Sequence, residues 1–138
     1  AAETVKRQYP DKLNLQIVTG LPFDEYVRTM LGSDAIMDQL YSYTPSMNPL
    51  EAMAHGIICI GGGEPENYDV IHEPTLHPII NVLPTYESCV AELTGLVNHL
   101  EIIPRLRRQS YAYVRKHHDH IKVAGQYEAF YRSLQDGL

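Results

Sequence analysis

The sequence predicts an α/β domain built on a parallel sheet, and three observations in its 138 residues lead there. Apolar residues recur with a period of two in short runs, and with a helical period in the longer stretches between them. The runs stop at glycine, proline or polar clusters, as strands and helices do. No repeat, low-complexity tract or internal linker interrupts the chain, which reads as one domain over residues 1–138.

In chain order, AAETVKRQ reads as the tail of a helix broken before Pro10. LNLQIV alternates Leu13, Leu15 and Ile17 with polar neighbours and stops at Thr19-Gly20, which predicts a first strand. PFDEYVRTML places Phe23, Tyr26, Val27, Met30 and Leu31 on one helical face and closes at Gly32. SDAIMDQL predicts a second strand, NPLEAMAHG a short helix closed by a glycine, and IICI a third, buried strand. After Gly61, Gly62 and Gly63, PENYDVIH predicts a short helix and HPIINVL a fourth strand. The remainder is helical. Val90, Leu93, Val97 and Leu100 share one face, IIPRLRRQSYAYVRKH forms a helix with Pro104 in its first turn, and Ala124, Tyr127, Tyr131 and Leu134 share a last face. Strands alternating with helices are joined by right-handed crossovers and align in parallel. The expected architecture is therefore a Rossmann-like, three-layer α/β domain, its parallel sheet flanked by helices.

Hydrophobic residues make up 44% and charged residues 20%, a globular composition. A net charge of −6 argues against nucleic acid as a partner, because polyanion binding needs a basic face. The one basic stretch, RLRRQSYAYVRKHH, reads as the solvated face of a helix. No apolar run reaches the roughly 18 residues of a membrane span, and the N-terminal residues carry no signal core, so a soluble, cytoplasmic protein is expected. Cys59, inside IICI, reads as a buried thiol, and Cys89 stands in no metal-like spacing with it. The HHDH segment, His117 to His120, has metal-ligand residue types, but contiguous helical residues point around the helix. Asp119 as the N-cap of the last helix explains it, and no metal is expected.

In parallel α/β sheets ligands bind beyond the carboxyl ends of the strands, where loops meet helix N-termini. Two loops qualify. YSYTPSMN follows the second strand and feeds the helix carrying Glu51, whose free amides suit a phosphate. GGGEPEN follows the third strand, and its glycines let a backbone approach a ligand closely or take positive φ. Glu51 itself has two readings. Asn48 as N-cap, Pro49 as first helical residue and Glu51 as third spell a capping box. The same carboxylate, one turn from a phosphate site, can instead accept two hydrogen bonds from a ribose diol.

The stretch DEYVRTMLGSDAIMDQLYSYTPSMNPLEAMAHGIICIGGGEPE resembles the donor-binding half of retaining glycosyltransferases of GT-B architecture, the group 1 or family 4 type. Ser33-Asp34, Glu51-Ala52-Met53-Ala54, Gly56, Gly62-Gly63 and Pro65-Glu66 fall in that family's order and spacing, and YVRKHHDHIKVAGQYEAFYRSL resembles its closing helices. The resemblance implies the C-terminal half of a GT-B fold, acting in polysaccharide biosynthesis on a nucleotide-diphosphate sugar without a metal. Glu51 would match the ribose-binding second glutamate of an E-x7-E pair. The first glutamate, which contacts the donor sugar, is replaced by Tyr43, and the Gly-Phe-Gly turn between them by Thr44, Pro45 and Ser46. Backbone amides near Ser46 and Met47, with Gly62, Gly63 and Glu66, would face the diphosphate and sugar, and the loop at Gly20 the base. Catalytic residues are not assigned. The opening on a helix tail leads to the expectation of a fragment lacking the N-terminal acceptor domain and the first strands of this half, inactive by itself. A glycan or lipid-linked acceptor, and any peripheral membrane association, would belong to the longer protein. Two alternatives accompany this reading: a nucleotide-sugar epimerase of the same architecture, and a non-catalytic, degenerate binding module.

Overall fold

A computed structural model describes residues 1–136. In chain order the elements are α1 (Ala2–Gln8), α2 (Phe23–Leu31), β1 (Ala35–Met37), α3 (Met47–Ala54), β2 (Ile58–Gly61), α4 (Pro65–Val70), β3 (Ile80–Asn81), α5 (Tyr86–Asn98), α6 (Ile103–His117) and α7 (His120–Asp136). A 3-10 turn, Leu100–Ile102, joins α5 to α6. The three strands form one parallel sheet in the order β1-β2-β3. Ala35 pairs with Ile58, Met37 with Ile60, and Ile60 in turn with Ile80. The expected α/β class, with a parallel sheet flanked by helices, is what the chain forms, although the sheet is small.

β2 is buried at every position, as its unbroken apolar run requires. Its successive residues feed different clusters, because side chains alternate across a sheet. Ile60 packs with Val5 of α1, Val82, and Cys89, Leu93 and Val97 of α5. Cys59 packs with Met53 of α3, Tyr68 of α4, Ile79, and Tyr113 of α6. A smaller cluster joins Met30 of α2 to Ala52 and Ile57. α5 is fixed at its start by a reciprocal cap: Thr85 Oγ1 accepts from the Ser88 amide at 3.2 Å, and Ser88 Oγ accepts from the Leu83 amide at 3.0 Å. Caps of this kind contribute about 1 kcal/mol. Gly56 closes α3 in the left-handed region, at φ +72, where a side chain would be strained.

Three expectations need correction. LNLQIV forms no strand. Alternation is a property of side chains, whereas a strand also needs a backbone partner. No strand lies beside residues 13–18 among those described. Leu13 packs against the Val5 cluster, which absorbs part of the apolar signal, and Ile17 is 71% exposed. On α2 the apolar stripe is only partly used: Met30 is buried, but Phe23 and Leu31 are exposed. The apolar face read on the last helix is likewise exposed, with Tyr127, Tyr131 and Leu134 all open to solvent. Among the described residues α7 shares no extensive contact with another helix or strand. No helix among the described residues is long and apolar enough to cross a membrane.

Candidate functional site

The loops after β1 and β2 lie side by side at the carboxyl edge of the sheet. The Asp38 amide donates to the Ile60 carbonyl at 3.0 Å, so the first loop leaves directly against the second. The glycines are what this contact demands. A Cβ on Gly61 would lie 2.3 Å from the Asp38 carbonyl oxygen, and one on Gly62 only 1.6 Å from that of Ser42. A Cβ on Gly63 would meet Ile79 at 2.8 Å, and the Gly63 amide donates to Asn81 Oδ1 at 3.0 Å. Gly62 and Gly63 are therefore buried against the protein's own chain, and positive φ falls instead on Gly20 and Gly56. Gln39 also takes positive φ, 30°, a costly conformation that bends the first loop as it leaves β1.

α3 begins two residues earlier than the capping box requires. Ser46 is the N-cap, with no side-chain cap bond, Met47 opens the helix, and Glu51 is the fifth helical residue, too far along for a box. The Asn48 side chain is engaged elsewhere, which is the physical reason. Its Nδ2 donates to Asp38 Oδ1 at 3.3 Å, and its Oδ1 accepts from the Tyr26 hydroxyl. Ser46 Oγ donates to Asp38 Oδ2 at 3.0 Å. Asp38 thus gathers the end of β1, the start of α3 and, through Asn48, α2. Its carboxylate lies at the positive end of the α3 dipole, where it is electrostatically favoured. Sequence reasoning passed over Asp38, Asn48 and Tyr26 in these roles. The signal was present in an aspartate standing at the end of an apolar run, one loop ahead of two capping-type residues.

The remaining residues singled out from the sequence fall as follows. The Glu51 side chain is 63% exposed and meets only His55 Nε2, at 3.3 Å. Tyr43 and Met47 are 73% and 80% exposed, which puts two large apolar side chains beside the α3 start. The Thr44 amide donates weakly to Ser42 Oγ, at 3.4 Å, while Ser42 Oγ donates to the Thr44 carbonyl at 2.7 Å. Tyr43, Thr44, Ser46, Met47 and Gly62 are thus brought together, with Glu51 one turn further along α3. Gly20 sits in the turn before α2, a helix tied to α3 by the Tyr26–Asn48 bond and by Met30 against Ala52. Glu66 is exposed in the first turn of α4. Two shallow, open depressions in the surface lie elsewhere, one lined by Tyr86, Val90 and Thr94, the other by His55, Arg107, Arg108 and Tyr111.

A second polar constellation, unforeseen from the sequence, surrounds Glu73 between α4 and β3. Its side chain is fully inaccessible. Oε1 accepts from the Thr75 amide and hydroxyl and the Leu76 amide, each at 2.9 Å. Oε2 lies 2.6 Å from both Lys116 Nζ and His117 Nε2 at the end of α6. Burial alone would raise this carboxyl's pKa, but the bonds from Lys116 and His117 and from the two amides outweigh it and hold it far below the usual range. Next to it Tyr68 stacks on His77 at 4.0 Å, and Tyr113 accepts from Asn67 Nδ2 at 3.2 Å.

Asp119 does cap the last helix: its Oδ1 accepts from the Ile121 and Lys122 amides, each at 3.1 Å. Cys59 and Cys89 are both buried and free. Burial, reinforced by Asp38, pushes the Cys59 thiol up to about 12. Among the described residues no group of three His, Cys, Asp or Glu side chains is placed to hold a metal ion. No family model, no curated protein and no solved structure matches the chain.

Proposed function

We propose that this chain is the donor-binding, Rossmann-like domain of a retaining GT-B glycosyltransferase, taking a nucleotide-diphosphate sugar at the carboxyl edge of its sheet. The observation that carries the reading is Glu51. Five residues into α3 it caps nothing, and its exposed carboxylate is available to a ribose diol one turn from the loop of Tyr43, Thr44 and Ser46. The order of Ser33-Asp34, Glu51-Ala52-Met53-Ala54 and Gly62-Gly63 in the sequence supports it independently. Amides at the α3 start would face the diphosphate, Tyr43 the sugar and the Gly20 turn the base. Retaining transfer in such a site rests on stabilising the departing diphosphate with dipoles and hydrogen bonds, not on a metal.

A second reading, the degenerate binding module, is favoured by a specific pair of observations. The Ser42 carbonyl fills the space above Gly62, and the Asp38 carboxylate already occupies the end of α3 that attracts anions. Calorimetric titration with UDP, GDP and ADP and their sugars separates the two. Binding of one nucleoside diphosphate that weakens in Glu51→Gln supports the donor site. Heat-silent titrations with all of them support the module.

A further inference from the structure

We propose that residues 116–122 form a polar hinge, fastened to Glu73, which fixes the direction of α7 at neutral pH and lets it swing when His118 takes up a proton. Packing does little to aim α7: among the described residues it shares no extensive contact with another element, and Tyr127, Phe130, Tyr131 and Leu134 are each more than half exposed. Its direction is set at its root. Lys116 and His117, the last residues of α6, are held by Glu73 Oε2. Lys122 Nζ, from the first turn of α7, donates to the Lys116 carbonyl at 2.6 Å and so ties the start of one helix to the end of the other. Asp119 caps α7 between them.

His118 stands in the middle of this knot. Its amide donates to the Val114 carbonyl at 2.7 Å, its ring lies 5.4 Å from that of Tyr113, and its Nε2 is buried with no hydrogen-bond partner among the described residues. The charged and titratable groups nearest it are Tyr113, Lys116 and His117 from α6, Asp119, His120 and Lys122 from the α7 side, and, bonded to Lys116 and His117, Glu73 from the α4–β3 region. Glu73 is saturated by five bonds, and Asp119 Oδ1 by two amides. A proton on His118 would thus add charge beside His117 at a buried Nε2 that no acceptor meets. Burial first, then His117, hold its pKa below the ordinary value. Acid therefore favours a ring that turns out to water, and residues 118 and 119 carry the root of α7 with it. The device carries the exposed α7 side chains Tyr127, Phe130 and Leu134 with it. It uses none of the donor-site residues.

The test is a distance measurement by double electron–electron resonance on the full chain. Nitroxides go on cysteines introduced by Glu92→Cys in α5 and Ser133→Cys in α7, both exposed, the native cysteines being buried. The distribution is expected to be narrow at pH 7.5 and to broaden at least twofold at pH 5.5, with near-UV circular dichroism unchanged. His118→Asn should stay narrow at both pH values, and Glu73→Gln should be broad at both. The proposal is overturned by a distribution that ignores pH, by one already broad at pH 7.5, by loss of the near-UV signal at pH 5.5, or by His118→Asn broadening like the parent. Should Glu73→Gln fail to fold, the His118→Asn comparison decides alone.

Discussion

Replacing Glu73 by alanine should be among the most damaging single changes in this domain. The carboxylate is inaccessible to water and serves five hydrogen bonds, two of them at 2.6 Å from cationic or imidazole nitrogens. Truncation leaves the Thr75 and Leu76 amides without their acceptor and His117, only 12% exposed, without its partner. Breaking a buried pair from one side costs about 3–5 kcal/mol, a large share of the roughly 5–15 kcal/mol that holds a domain folded. At about 3 °C per kcal/mol for a chain of this size the melting temperature should fall by roughly 10–15 °C. The loss should also depend on pH. The folded carboxyl is held below its ordinary value of 4.5, so its stabilisation is complete above that pH and is lost as pH falls through the folded value. The gap between parent and variant should therefore shrink on acidification below about 4.5 and never widen. Lys116→Met, which removes a half-exposed partner, should cost only about 1 kcal/mol. Urea unfolding at pH 7 and pH 4 measures all three values. A loss below 1 kcal/mol in Glu73→Ala at pH 7, or a gap that grows in acid, would refute the reasoning.

Gly62→Ala forces a Cβ onto the Ser42 carbonyl and should cost about 3 kcal/mol or more. Gly95→Ala, in the interior of α5 with open space around it, should instead stabilise by about 0.5–1 kcal/mol, and chemical denaturation of the two variants checks the contrast. Glu51→Gln should weaken binding of the nucleoside diphosphate by about 1–3 kcal/mol in calorimetry. Its unfolding midpoint should not move, because Glu51 caps no amide. Cys59, buried and with its thiol pushed up to about 12, should resist iodoacetamide at pH 8 in the native chain and react once urea unfolds it.

What the sequence made legible was whatever depends on short-range pattern. The helical period from Val90 onward, the IICI run of β2 and the glycine that closes α3 all report local geometry, and a helix, a strand and a helix end stand where they were expected. The misreadings share a different cause. LNLQIV has the side chains of a strand, but the ladder beside it is a non-local fact. The α3 boundary was misjudged because NPLE and SMNP both carry capping chemistry, and the choice was made by Asp38, ten residues away from Asn48 and on another element. Gly62 and Gly63 were recognisable as positions of close approach. That the approaching group is the Ser42 carbonyl is a tertiary fact no local pattern encodes. Glu73 was invisible for the same reason, since Lys116 and His117, which hold its Oε2, lie in α6, more than forty residues on.

The parallel register of the sheet has a consequence for how the chain reaches this state. Ala35 meets Ile58 and Ile60 meets Ile80, so every ladder contact joins positions roughly twenty residues apart, and no hairpin can supply an early local pair. Each loop must close, with its helix already formed, before its strands gain anything. β2, which alone touches both neighbours, is then the point where the two closures meet, and substitutions at Ile58 or Ile60 should slow refolding more than they hasten unfolding. Such a chain folds slowly beside a helical bundle of equal length, and its strand edges stay unpaired for longer on the way.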